Sequence, residues 1–112
     1  MDNWKEFKSE EELDLIIKKS NTRSQIIFKD SVSCSISAHA KHKLVNGNDK
    51  LIAKADFNYL DLLSYRSISN LIATKLDVQH QSPQIIVLID EVPIYIVTHH
   101  TIDPDKIATY LK

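Results

Sequence analysis

Apolar residues in this chain come in short bursts divided by polar turns, and their spacing changes from burst to burst. Leu13, Ile16 and Ile17 recur at helical spacing behind Ser9-Glu10-Glu11-Glu12, where Ser9 as N-cap and Glu12 three residues later form a capping box. Lys18 and Lys19 suit the C-terminal end of that helix. Asn21–Ser24 reads as a loop, Gln25–Lys29 as a short buried strand and Asp30–Ser33 as a turn. A second helix is predicted over residues 34–45, with Gly47, the sole glycine, where a C-cap belongs. Asn46–Lys50 then reads as a polar loop and Asp56–Leu60 as a second strand. Tyr65, Ile68, Leu71, Ile72 and Leu76 return to helical spacing. The apolar run Ile85–Ile89 predicts a third strand, Asp90-Glu91 a tight turn without glycine, and Ile94–Thr98 after Pro93 an edge strand. Asp103-Pro104 sets an N-cap before a helix-starting proline, and Ile107, Tyr110 and Leu111 give the last helix its buried face.

The order is therefore α-β-α-β-α-β-β-α in a single domain over residues 1–112. Two strands each followed by a helix predict a parallel, right-handed βαβ unit, and the last two strands an antiparallel hairpin. The expected fold class is α/β: a three-layer α/β/α arrangement around a four-stranded mixed sheet, which is thioredoxin-like. Apolar content of 43% supports a core, and a net charge of −1 gives no reason to expect nucleic acid or an anionic membrane as partner. The N-terminal Met1–Glu6 is polar and does not read as a secretory signal, and the apolar run Ile85–Ile89 is too short to span a bilayer. One unpaired cysteine argues against a disulfide scaffold and for a reducing cytoplasm.

That cysteine, Cys34, carries the most pointed chemistry in the chain. It falls where a strand-to-helix turn should be, close to the positive end of a helix dipole and to unpaired backbone N–H groups. Both favour the thiolate, which is the reactive form. The bland alternative is a small buried hydrophobe. Ser37, three residues on, shares the helix face. Its hydroxyl either donates to the thiolate or bonds nearby backbone. With no second cysteine, no intramolecular dithiol cycle can operate.

Lys29-Asp30-Ser31-Val32-Ser33-Cys34-Ser35-Ile36-Ser37 resembles the active-site segment of the monothiol bacilliredoxins (YtxJ-like proteins), which carry a Cys-Pro-Ile-Ser type motif in a thioredoxin-like fold. Tyr59-Leu60-Asp61-Leu62 with Tyr65-Arg66, Ser69–Ala73, His80–Gln84 and the Thr98-His99 region match that family too, so the resemblance covers nearly the whole chain. It implies that Cys34 is the catalytic nucleophile, with Ser33 and Ser37 in support. Cys34 would attack the mixed disulfide between a client protein and bacillithiol, take up the bacillithiol and be reset by a second thiol. Bacillithiol would then be a co-substrate, with no tightly bound cofactor, and the partners would be bacillithiolated client proteins and a low-molecular-weight thiol. Pro83 would be a cis-proline facing the cysteine, with Ser82 offering backbone groups to an extended substrate. The alternative for Pro83 is a plain strand-start proline.

Ser35 replaces the proline common in the family motif, and Val32-Ser33 replaces a more basic pair, which removes a nearby cation. Phe28 stands where thioredoxins carry a buried acid, so a relay through such an acid is not expected. His80 lies close enough to Ser82-Pro83 to line the site, while Arg66 and Lys29 either guide an anionic thiol or are solvated surface charge. The histidines form no tetrad with zinc-like spacing, so no metal site is expected. The rival reading is a non-catalytic thioredoxin-like thiol sensor or binding module, in which Cys34 is capped by bacillithiol and stops there. Oligomeric state is left open.

Overall fold

The computed structural model describes residues 3–112; Met1 and Asp2, part of the polar N-terminus, lie outside the described residues. The elements run β1 (Trp4–Glu6), α1 (Glu10–Lys19), β2 (Ser24–Asp30), α2 (Ser35–Asn46), α3 (Asn48–Ile52), β3 (Ala55–Asp61), α4 (Arg66–Leu76), β4 (Gln84–Ile89), β5 (Val92–Thr98) and α5 (Pro104–Ala108), with a 3-10 turn at His99–Thr101. The strands form one mixed sheet in the order β1-β3-β2-β4-β5. β1 and β2 lie parallel to β3, whereas β4 runs antiparallel to β2 and β5 antiparallel to β4.

The sheet has five strands, not four. The additional strand is β1, drawn from the N-terminal segment that reads as polar and includes Lys5 and Glu6. Three residues carry too little periodicity to declare a strand, and tertiary contact supplies the rest. Trp4 stacks on Phe57 with ring centroids 4.2 Å apart, and the Phe7 N–H donates to the Tyr59 carbonyl at 3.1 Å. A second correction falls on Asn46–Lys50. Residues 48–52 coil into α3 rather than a loop, and Leu51 anchors that turn as a fully buried side chain.

Central β2 decides where the core lies. It is paired on both edges and covered on both faces, so all seven of its residues are buried. Ile26 and Phe28 face the cluster built with Ala40 and Leu44 of α2, Leu51 of α3 and Ile107 of α5. Ile27 faces the opposite cluster, with Leu13 and Ile16 of α1 and Ile68, Ile72 and Leu76 of α4. Two-residue alternation thus feeds two apolar layers, giving helices on both sheet faces. The Ser9–Glu12 capping box forms, with the Glu12 N–H donating to Ser9 Oγ at 3.2 Å and the Lys8 N–H donating to the Glu12 carboxylate at 3.0 Å.

Local backbone explains two further positions. The β4–β5 turn puts Asp90 and Glu91 at φ 53° and 66°, a left-handed pair without glycine. Ser20 holds it by accepting the Asp90 N–H on its carbonyl at 2.9 Å and the Glu91 N–H on its hydroxyl at 2.8 Å. Gly47 follows α2, but at φ −100° it is not a left-handed cap. Space is what requires glycine there, because a Cβ would sit 2.4 Å from Pro104 Cβ and 2.7 Å from Pro104 Cγ. Among the described residues, no helix is long and apolar enough to cross a membrane.

Candidate active site

At Asp30 the central strand runs out, and the chain turns through Ser31–Ser33 into α2. Cys34 is the N-cap of that helix, in extended conformation at φ −99° and ψ 128°. Its N–H donates to the Ser31 carbonyl at 2.9 Å, and its own carbonyl accepts the Ala38 N–H at 3.0 Å. The side chain makes no capping hydrogen bond and is half-buried. The sulfur therefore sits beside first-turn N–H groups that it does not cap, where the helix dipole favours negative charge.

Antiparallel register brings the second half of the site to the same end of the sheet. Gln84 pairs with Lys29, so Pro83 lies where β2 runs out into the Cys34 turn. The Ser82–Pro83 peptide bond is cis, Pro83 is buried and Ser82 half-buried. The Pro83 carbonyl accepts the His99 N–H at 3.0 Å, which ties this loop to the end of β5. His99 itself takes the left-handed region at φ 55°.

Ser33 is exposed in the turn. Ser37 is fully buried, and its hydroxyl oxygen accepts the Ser31 N–H at 3.1 Å. It thus serves the turn backbone, the structural role left open for it above. Arg66 is exposed at the first turn of α4. Lys29 differs from both readings of a surface cation: its side chain is 0% exposed. It lies on the α1/α4 face of the sheet, and its ammonium nitrogen is 2.9 Å from His80 Nδ1, which also lies 3.2 Å from Ser69 Oγ. Burial holds the Lys29 amine down to about 8. His80 is held below the ordinary histidine range, first by burial and then by the charges of Lys29 and Arg66. His80 does border the Pro83 segment, and it does so as the partner of a buried lysine.

Asp30 is the residue that sequence reasoning missed. A buried acid does stand beside this turn, two residues beyond Phe28 on the same face of β2. Its side chain is 2% exposed. Tyr59 donates its hydroxyl to Oδ2 at 2.5 Å, and the Lys41 ammonium lies 3.9 Å from the same oxygen. Oδ1 is buried with no partner; with Gln84 Oε1 it makes up the buried side-chain polar atoms so placed among the described residues. Burial pushes the Asp30 carboxyl up, opposed by the Tyr59 bond, the Lys41 charge and the Ser37 hydroxyl. Tyr59 is raised in turn, first by burial and then by its bond to Asp30, so it remains a donor. The available signal was alternation: Lys29 and Asp30 are consecutive on a strand, so they must face opposite layers.

Comparison with known proteins bears on this arrangement. A family model described as monothiol bacilliredoxin BrxC matches residues 5–107. No curated protein matches the chain. Among solved structures, one described as having a thioredoxin fold superposes with a TM-score of 0.82 at 25% identity, covering 96% of this chain and 93% of the other. A mutant thioredoxin from Halobacterium salinarum NRC-1 gives 0.72 at 14% identity, over 98% of this chain and 88% of the other. Thioredoxin from Fasciola hepatica gives 0.71 at 16%, over 96% and 99%.

Proposed function

This chain belongs to the monothiol bacilliredoxin family, and on that premise we propose that it is a thiol–disulfide oxidoreductase that removes bacillithiol from protein mixed disulfides. The observation that carries this reading is the position of Cys34: an uncapped, half-buried sulfur at the N-terminus of α2, at the sheet end that also bears cis-Pro83. The Cys34 thiolate attacks the bacillithiol sulfur of the mixed disulfide. The client sulfur leaves as a thiolate and takes a proton, while Cys34 holds the bacillithiol as a new disulfide. A second low-molecular-weight thiol then attacks that disulfide and regenerates Cys34, so a single cysteine suffices for turnover. The backbone of Ser82-Pro83 gives an extended thiol or peptide a place to lie. Exposed Ser33 and Arg66 are the side chains free to meet it.

The test is to incubate the reduced protein with a bacillithiolated model substrate and follow it by intact mass. A gain of one bacillithiol with release of free substrate, abolished in Cys34→Ser, is the expected result. Repeated turnover on adding free thiol separates an oxidoreductase from a sensor that accepts one equivalent and stops. Full activity in Cys34→Ser would sink the mechanism.

A further inference from the structure

Lys29 ends in an unfinished set of hydrogen bonds. An ammonium has three protons to donate, yet this one is fully enclosed and meets one partner among the described residues, His80 Nδ1 at 2.9 Å. An ammonium does not accept, so Nδ1 is the unprotonated ring nitrogen and Nε2 carries the proton. Ser69 Oγ stands 3.2 Å from the same Nδ1, and Ser69 is buried as well. Two donors therefore converge on one lone pair. Across the sheet, Gln84 pairs directly with Lys29 in the β2–β4 register, so the two side chains share a face. Gln84 is buried; its Nε2 donates to the Gln79 carbonyl at 3.0 Å, while its Oε1 has no donor. Directly opposed residues of an antiparallel pair start about 5 Å apart at Cβ, within the reach of a lysine. A buried cation with donors to spare thus faces a buried carbonyl oxygen that lacks one.

Adding one proton to His80 opens a second, complementary arrangement. A protonated Nδ1 no longer accepts from Lys29, and two cations at 2.9 Å repel. The new Nδ1–H lies within reach of Ser69 Oγ, which turns from donor to acceptor. Lys29, displaced from His80, finds its acceptor in Gln84 Oε1. We infer that Lys29, His80, Ser69 and Gln84 form a proton-operated hydrogen-bond switch, with Lys29 bonded to His80 at neutral pH and to Gln84 once His80 takes a proton from solvent. The charged groups that face His80 are Lys29 from β2 and Arg66 from α4, and both oppose that proton, as burial does. The switch therefore works on the acid side of the ordinary histidine value of 6.5. What it moves is the loop before Pro83. The Gln79 carbonyl is held by Gln84 and the Pro83 carbonyl by the His99 N–H. Lys29 adds a tether at His80, between those two fixed points. Acid releases the tether and loosens residues 80–82 at the sheet end that bears Cys34.

The test is NMR of the full chain with Cys34 kept reduced, titrated from pH 7.5 to 5 and read at the His80 ring nitrogens and the Gln84 side-chain amide. His80 is expected in the Nε2–H tautomer at pH 7.5, and the Gln84 amide is expected to shift with the His80 midpoint. In Lys29→Met that shift should vanish while His80 still titrates. A response to the His80 charge alone, with no exchange of partners, would survive the substitution. Gln84→Met removes the second acceptor and should lower the His80 midpoint by about one pH unit, the tenfold that a hydrogen bond to a charged group is worth at its low end. Ser69→Ala should lower it in the same sense, and decides the matter if Gln84→Met does not fold. A Gln84 amide that stays flat through the His80 titration, or that responds alike in the native protein and Lys29→Met, would overturn the inference. So would a His80 midpoint that neither Gln84→Met nor Ser69→Ala moves.

Discussion

Replacing Lys29 by methionine should stabilise the protein and flatten its response to alkaline pH. The ordinary lysine value is 10.5, and burial holds Lys29 down to about 8. Below pH 8 the amine is protonated in both states, and the folded state holds a charge it disfavours. Each pKa unit is worth 1.36 kcal/mol, so keeping Lys29 charged at pH 7 costs about 3 kcal/mol at most. The contact with His80 brings the net figure nearer 2 kcal/mol, at about one hydrogen bond's worth. Between about pH 8 and 10.5 the unfolded chain binds the additional proton, so stability rises with pH through that window. The same two values give a gain of about 1 kcal/mol between pH 7 and pH 9. Methionine fills a similar volume without the charge. The assay is urea unfolding of native and Lys29→Met protein at intervals from pH 6 to 9.5, with Cys34 kept reduced, followed by the fluorescence of Trp4. The expected result is a variant more stable at pH 7 whose advantage shrinks as pH rises. Parallel curves, with a constant offset across the range, would refute the assignment of the cost to the Lys29 charge. A variant less stable at every pH would show that the His80 contact outweighs it.

Three other outcomes follow from single residues. Gly47→Ala forces a methyl group into Cβ and Cγ of the rigid Pro104 ring, and urea unfolding should show a loss of about 1–3 kcal/mol. Because His80 is held below the ordinary value of 6.5, the folded state resists a proton that the unfolded chain accepts, so stability should fall as pH drops below about 6.5; in His80→Gln the slope of melting temperature against pH between 5 and 7 should be shallower. Trp4→Ala removes the stack on Phe57 and should cost about 2 kcal/mol, with hydrogen exchange of the Phe7 amide speeding up more than that of central β2; equal changes at both would show that β1 is not a separately opening edge.

Much of the fold was legible because its signals are local. The Ser9–Glu12 box, the helical spacing of Leu13–Ile16 and Ile68–Ile72, and the apolar run of β4 each announce themselves within a few residues. β1 was not legible, since its stability comes from Phe57 and Tyr59, more than 50 residues away in the chain. Gly47 is the C-cap of α2, as its place in the sequence suggested, but the need for glycine there comes from Pro104, distant in sequence. Cys34 could be read because a lone cysteine before a helix is visible in one dimension. Lys29 and Asp30 could not, because a charged pair at a strand end looks the same on an edge strand as on a central one. Only the strand order shows that β2 is central and that both charges are enclosed.

That enclosure gives the end of β2 its logic. Consecutive residues on a strand point to opposite faces, so one step of chain sends a cation beneath the Pro83 segment and an acid beneath the Cys34 turn. The two charges do not pair across the sheet; each has its own partner, His80 for Lys29 and Tyr59 for Asp30. A one-residue slip of β2 would send each charge to the opposite face, the acid to the His80 side and the amine to the Tyr59 and Lys41 side, with two cations on one face. The apolar alternation of Ile26, Ile27 and Phe28 fixes the register that prevents this. The core therefore does more than hold the sheet together: it decides which charge lies under which loop. Exchanging the residues, Lys29→Asp with Asp30→Lys, keeps composition and net charge and should still lower the urea midpoint of unfolding. If that double variant unfolded at the native urea midpoint, the faces of β2 would not be what assigns these charges their places.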